Sequence, residues 1–378
     1  MENRRVAQAP ELTPSVYLYP KALVADTESY INDNIGFREF SAFAYQAALY
    51  NGFDYYADTH YLQGKDHNLF YLFSDKKNPE SLPPAPPHSE IELLECKNNL
   101  EILNEYYTKQ GIPFLFCTIP DKDEVYPELY PDSVIRRPGV SRLTQIAAYL
   151  NQNSDIDTLD LAASLRGKKS STDMLYYKTF DPSHWNGYGA YIGYQNIMYR
   201  LKEYFPDLAI LDESDFIVTK EQIEKTIPGF DFTFNDLGDV SYKYEYADKA
   251  AHPSAVLADS FGTNLSGSNP GEGPISSERY AEYGFDRGAY YFRNPNCDNG
   301  KKLLIFGDSY ISGFILDYIA ESFSEVYFIE PNVHWGLARE ASDSFAPDAV
   351  MYEIVDRVYP LNFQFVLLKQ FGEMDSAD

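Results

Sequence analysis

The sequence predicts an α/β fold on a mostly parallel sheet. Two observations carry this: apolar runs of strand length that do not alternate, and helical patterns standing between them. A continuous apolar run marks a strand covered on both faces, and parallel neighbours need crossover helices to join them.

Residues 27–50 carry an amphipathic helical pattern interrupted near Gly36, after a polar, Pro-containing arm over 1–26. A Pro-rich loop then precedes IELLECKNNLEILNEYYTK, a helix whose spacing brings Ile91, Leu94, Leu100 and Leu103 toward one face. GIPFLFCTIP follows as a strand closed by Pro120, VSRLTQIAAYLNQN as a helix and DIDTLDL as a short strand. GAYIGYQNIMYRLKEYF is a helix with Ala190, Tyr194, Ile197 and Leu201 on its stripe. From about 205 to 300 the chain turns rich in Gly, Asp, Ser and Tyr, and reads as an insertion with little regular structure at an active-site edge. The pattern resumes with KKLLIFGDS (strand), SGFILDYIAESF (helix), EVYFIE (strand) and DAVMYEIV (strand). The expected organisation is a single catalytic domain over 27–378 carrying that insertion.

The formal net charge of -26 argues against nucleic acid as a partner, because phosphate binding requires clustered cations. Aromatic residues make up 16% of the chain, with 33 Tyr, which suits either a Tyr-rich core or stacking on sugar rings. Cys96, Cys117 and Cys297 form no C-x-x-C pair, and Cys96 and Cys117 fall in apolar patterns of buried residues. No histidine pair has metal-ligand spacing, so neither a metal nor a cofactor is expected.

Ser309 stands out by its placement. KLLIF reads as a buried strand, Gly307 permits a tight turn, and a helix pattern follows. A serine there projects beyond the carboxyl end of the sheet, and its own N–H can serve an oxyanion. The pairs at Asp259-Ser260 and around Asp343 (Ser342, Ser344) follow no such strand. FDPSHWNGYGAY supplies the complementary groups. A serine hydroxyl needs a base to take its proton, usually an imidazole oriented by a carboxylate, and Asp181 and His184 stand together on one short loop. The competing reading of each motif is ordinary: a cap at Gly-Asp-Ser, a packed histidine at D-x-x-H. His60, His67, His88, His252 and His334 lack this context.

GDS after an apolar strand, combined with D-x-x-H, resembles the SGNH/GDSL hydrolase superfamily. Ordinary members have the Ser block first; here Asp181 and His184 precede Ser309, and Trp185 follows the histidine. That order resembles the permuted AlgX, AlgJ and DHHW-type proteins. YINDNIGFRE (with Arg38), GKDHNLFYL, IPDKDEVYPELYP, FSEVYFIEP and PDAVMYEIVDRVY resemble further segments of the family. Two residues separate Asp181 from His184, where the permuted relatives usually have one, and the Gly and Asn oxyanion blocks have no clear counterpart.

The resemblance implies a three-layer α/β/α sandwich and a carbohydrate or polysaccharide O-acetyltransferase working through Ser309, His184 and Asp181 with an acetyl-enzyme. A carbohydrate esterase with the same triad and a non-catalytic glycan-binding module remain open beside it. Trp185, Tyr310, Trp335 and Arg339 are the candidates for holding substrate. Tyr310, Arg339 and Lys122 are candidates for helping the Ser309 N–H at an oxyanion, while Lys122 and Arg38 better suit ion pairs or caps. The implied partners are a glycan, an acetyl donor and a membrane acyl-transfer protein. The implied location is extracytoplasmic, with an anchor or signal absent from this chain, while the residues themselves leave a cytoplasmic location open.

Overall fold

The computed structural model describes residues 8–9, 20–34, 44–45, 48–49, 52–53, 60–72, 86–132, 140–170, 172–223, 225–226, 233–234, 239–252, 254–261, 273–282, 288–330 and 335–357. Its strands are β1 (Tyr61–Gln63), β2 (Leu69–Tyr71), β3 (Phe114–Ile119), β4 (Asp157–Asp160), β5 (Phe216–Gln222), β6 (Lys225–Thr226), β7 (Thr233–Phe234), β8 (Val240–Tyr246), β9 (Val256–Phe261), β10 (Ala289–Arg293), β11 (Lys302–Phe306), β12 (Glu325–Ile329) and β13 (Ala349–Val355). The helices are α1 (Pro20–Asn34), α2 (Glu90–Thr108), α3 (Lys122–Val125), α4 (Arg142–Asn153), α5 (Ala162–Gly167), α6 (Gly187–Tyr204), α7 (Ser277–Glu282), α8 (Ser309–Ser312), α9 (Leu316–Ala320) and α10 (Trp335–Phe345).

Seven strands form the main sheet in the order β4-β3-β13-β11-β12-β10-β9. β4, β3, β13, β11 and β12 run parallel, and β10 pairs antiparallel with both β12 and β9. Alternate residues of each strand feed opposite faces. Leu115, Cys117, Leu303, Ile305, Val326 and Met351 pack with residues of α5, α6, α8 and α9. Phe114, Phe116, Leu304, Phe306, Tyr327 and Tyr352 pack with α2, α4, α7 and α10. The result is the expected α/β/α sandwich, with β3, β11, β12 and β13 buried on both faces.

Local signals explain the main helices. Ser89 and Glu92 close a capping box at the start of α2, Ser141 caps α4 and Asn186 caps α6. The stripe of Ala190, Tyr194, Ile197 and Leu201 is buried as expected. In α2 the buried seam is Cys96, Leu100, Leu103 and Tyr107, whereas Ile91 and Leu94 are exposed. Ile91 precedes Leu100 by nine residues, two and a half turns, so it lies on the opposite side. Within SGFILDYIAESF only Leu316–Ala320 forms a helix, α9, and the separate short α8 ends at its first residue, Ser312. α1 begins at Pro20, inside the expected arm, while Gly36 and Arg38 lie outside the described residues.

Residues 205–300 hold more regular structure than expected. β9 and β10 join the main sheet, and β5 pairs with β8 as an antiparallel ribbon over α6. Tyr242, Tyr244 and Tyr246 alternate along β8 and so share a face. Tyr242 packs on Tyr188 (5.5 Å), Tyr244 stacks on Tyr191 (4.7 Å) and Tyr246 stacks on Phe216 (5.4 Å). Much of the tyrosine content thus laminates secondary structure. Among the described residues no helix is long and apolar enough to cross a membrane.

Candidate active site

The strand β11 ends at Phe306, and Gly307-Asp308 turns the chain into α8, whose first residue is Ser309. A Cβ at Gly307 would meet Glu353 Oε2 and the Phe328 ring at 3.0 Å, so the turn sits close against β13 and β12. The Asp308 carboxylate accepts from the N–H groups of Tyr310 (2.9 Å) and Val355 (3.1 Å), and its own N–H donates to Glu353 Oε2 (2.9 Å). Asp308 is therefore committed to holding the turn. Ser309 is exposed, and its N–H has no hydrogen-bond partner among the described residues.

Asp181 and His184 arrive on the loop before α6. Tyr176 and Trp185 pair as a β-bridge across its neck, and Asn186 donates to the Leu175 and Met174 carbonyls while capping α6. His184 Nδ1 lies 2.8 Å from Asp181 Oδ2, and His184 Nε2 lies 2.8 Å from Ser309 Oγ. Nδ1–H donating to the carboxylate leaves the Nε2 lone pair to accept the serine proton. Ser183 occupies the other carboxylate oxygen, donating from Oγ to Asp181 Oδ1 at 2.6 Å. Burial acts to raise the Asp181 pKa, but the hydrogen bond and charge of His184, with the Ser183 bonds, outweigh it and leave the carboxyl below its usual range.

The rival Asp-Ser pairs are not assembled this way. Ser342 and Asp343 lie on α10, bonded to the hydroxyls of Tyr107 and Tyr106. Ser260 lies in β9.

The expected substrate contacts are corrected. Trp185 is fully buried and 5.0 Å from the Tyr310 ring, in the space left by the missing side chain of Gly193, where a Cβ would come within 2.5 Å of the indole. Trp335 is buried on the other sheet face, against Phe306 and Tyr352. Neither indole can offer a face to a sugar. Tyr310 is also buried, its ring 5.1 Å from the His184 ring and its hydroxyl donating to the Ser183 carbonyl (2.9 Å). It joins the two arms of the site instead of meeting substrate. Arg339 lies over the Tyr106 ring on α2, in the layer opposite α6.

Lys122 is corrected as an oxyanion donor, because all three ammonium protons are used. They go to the carbonyls of Leu69 (2.9 Å), Tyr177 (2.9 Å) and Lys178 (3.1 Å). Desolvation lowers its pKa to about 7, partly opposed by the charge of Asp239.

Sequence reasoning missed several residues. Arg357 donates to Asp121 (2.5 Å) and to the Tyr310 hydroxyl (3.2 Å), bracing that ring from outside. Phe180, beside Asp181, is the exposed aromatic of the loop, packed edge-on to Tyr177 at 5.4 Å, while Phe314 lies 5.4 Å from the His184 ring. Ser183 had a readable signal, a hydroxyl between the acid and the base.

A family model described as "SGNH hydrolase-like domain, acetyltransferase AlgX" matches residues 62–256, just over half of the chain. Among solved structures, Bacillus cereus PatB1 is similar at 17% identity and a TM-score of 0.57, over 81% of this chain and 98% of that one. The sulfonyl adduct of PatB1 is similar at 17% identity and a TM-score of 0.55, with the same coverage. A DHHW family protein from Eubacterium siraeum is similar at 16% identity and a TM-score of 0.49, over 82% of this chain and 98% of that one. No curated protein sequence matches the chain. At 17% identity the likeness to PatB1 speaks for the fold alone. The family match spans the acid–base loop and the ribbon laid over α6, and the chain belongs to the AlgX-type SGNH hydrolase-like family.

Proposed function

We propose that the protein is a serine-dependent O-acetyltransferase acting on polysaccharide hydroxyls. The observation that carries the reading is the continuous chain Asp181–His184–Ser309, two contacts of 2.8 Å ending on an exposed hydroxyl. Ser309 Oγ attacks the acetyl carbonyl of the donor as its proton passes to His184 Nε2. The Ser309 N–H, which has no partner among the described residues, would donate to the oxyanion. Collapse expels the donor's leaving group, which takes the proton from His184, and leaves acetyl-Ser309. A sugar hydroxyl then attacks, giving its proton to His184, which returns it to Ser309 Oγ as the acetyl ester departs. Asp181 holds the imidazole tautomer throughout and stabilises the imidazolium.

The exposed ring of Phe180 beside this set supports contact with a flat sugar face, the role Trp185 and Trp335 are too buried to fill. Tyr310 and Lys122 support the loop and do not touch substrate. The match to an acetyltransferase family supports acetyl transfer to a polysaccharide acceptor, and the proposal extends to an extracytoplasmic location and a membrane acyl-transfer protein that hands on the acetyl donor. The exposure of Ser309 favours one second reading, an esterase in which water replaces the sugar.

The test is acetylation with p-nitrophenyl acetate, with and without oligosaccharide. The expected result is an acetyl group on Ser309, faster p-nitrophenolate release with a suitable oligosaccharide, and acetylated sugar as product. Ser309→Ala is expected to lose roughly 10³-fold or more of the rate. Acetyl-enzyme discharged only to water moves the reading to esterase. A Ser309→Ala variant as active as the parent overturns both.

A further inference from the structure

The loop carrying Asp181 and His184 is held by a feature that lies outside the catalytic set. Two consecutive peptide groups, Tyr177–Lys178 and Lys178–Thr179, are gripped at both ends. Their carbonyls accept from Lys122 Nζ at 2.9 and 3.1 Å. Their N–H groups donate to the Asp239 carboxylate, Lys178 to Oδ1 at 2.9 Å and Thr179 to Oδ2 at 2.7 Å. The next N–H, of Phe180, and the Thr179 hydroxyl also reach Asp239 Oδ2. Each peptide dipole thus points its negative end at a cation and its positive end at an anion. Asp239 is 3% exposed and Lys122 likewise 3%, so solvent hardly screens the arrangement.

Asp239 is the residue before β8, and β8 is itself pressed onto the loop's exit. A Cβ at Gly187 would come within 1.9 Å of the Tyr242 carbonyl oxygen, and Tyr242 OH donates to Asp173 at 2.5 Å. The carboxylate therefore comes from a ribbon packed on the start of α6. From Thr179, whose N–H it holds, the chain reaches Asp181 in two residues.

We infer that Asp239 and Lys122 are positioning residues that fix the acid–base loop in the geometry Ser309 needs, so that the ribbon after residue 205 belongs to the working site. This rests on Asp181, His184 and Ser309 being the catalytic set. The chemistry fits positioning well. A loop of backbone amides has many nearby conformers, and ionic acceptors and donors on successive peptides remove them more firmly than neutral ones.

The test uses the full chain and an aryl sulfonyl fluoride, whose reaction with Ser309 reports how well His184 activates it. Asp239→Asn keeps the shape but turns an NH₂ toward N–H donors, and Asp239→Ala removes the acceptor. Both are expected to slow sulfonylation and kcat for p-nitrophenyl acetate by about 10- to 100-fold, Ala more than Asn, with KM within about threefold. Thr179→Val, which deletes one hydroxyl contact, is expected to show a milder loss and serves if the Asp239 variants do not fold. Lys243→Ala, an exposed change on the same ribbon, is expected to leave the rate alone. Rates are taken per folded molecule, with the thermal midpoint measured beside them. Parental rates per folded molecule in Asp239→Ala, or in Thr179→Val should Asp239→Ala not fold, overturn the inference. Ser309→Ala run in parallel separates the two claims: if it is still sulfonylated at the parental rate, the catalytic reading fails whatever Asp239 does.

Discussion

The hydroxyl of Tyr310, the residue after Ser309, donates to the carbonyl of Ser183, the residue before His184, at 2.9 Å. One buried ring therefore sets the spacing between Ser309 and His184 from behind, and Arg357 braces it from the other side.

Tyr310→Phe keeps the ring and removes that tie. The hydroxyl also accepts from Arg357, so two bonds go and the expected loss is about 2 kcal/mol of stability. Acylation of Ser309 is expected to slow by about 5- to 50-fold, because the His184–Ser309 contact is no longer held. Urea unfolding beside stopped-flow acylation checks both, and an unchanged acylation rate would sink the positioning role.

Trp185 is a core residue, and its variants should behave accordingly. Trp185→Ala is expected to cost roughly 3–5 kcal/mol, since the indole fills the space against Gly193 and Tyr310. Phe180→Ala, at an exposed ring, is expected to leave the thermal midpoint nearly unchanged and to raise KM for the oligosaccharide acceptor. Reversal of these two phenotypes would return the sugar-stacking role to the tryptophan.

Glu353 lies fully buried under the Ser309 turn, one carboxyl oxygen bonded to the Asp308 N–H and the other without a partner among the described residues. Burial first, and then the Asp308 charge, push its pKa well above the usual value. Above the unfolded pKa the folded chain keeps a proton the unfolded chain has released. This group's contribution to stability therefore falls as pH rises, by up to about 1.4 kcal/mol per unit, until the folded pKa is passed. Glu353→Gln is neutral throughout, so its thermal midpoint relative to the parent is expected to improve from pH 5 to pH 8. A gap that stays constant or shrinks counts against a neutral Glu353.

Asp181 works in the opposite sense. Its folded pKa is depressed, so its stabilisation is present above the unfolded carboxylate value and is lost as pH falls through the folded one. Asp181→Asn is expected to be less stable than the parent at pH 6 and to converge with it in strong acid. Its kcat is expected to drop about 10³- to 10⁴-fold, as when a triad imidazole loses its orienting carboxylate. Equal stability at pH 6 would contradict the His184–Asp181 link.

Local pattern made much of this legible. Unbroken apolar runs marked β3, β11, β12 and β13, and Ser309 and the Asp181/His184 loop announced themselves by spacing. What stayed hidden depends on partners far along the chain. Lys122 meets carbonyls 55 and 56 residues away, and Asp239 meets amides 59 to 61 residues away. No periodicity reports such pairings. Trp185 is a candidate for stacking a glycan by its residue type, and only the packing against Gly193 shows that it belongs to the core. In α2 the apolar residues Ile91 and Leu94 near its start stand outside the buried seam, so apolar character alone does not set the phase of that helix.

The sheet order has a consequence for how the protein comes into being. β3, made early, pairs with β13, the last described strand, and Ser309 follows β11, which is wedged beside β13. During synthesis the acid–base loop exists well before there is a nucleophile for it to activate, and the middle of the sheet stays open until residue 349 and beyond are made. On the proposed catalytic reading, a nascent or cleaved chain that stops short of residue 300 lacks Ser309 and is expected to be unreactive. A fragment pair divided near that point is expected to regain reactivity only on reassociation, so the order of the motifs also times the onset of activity.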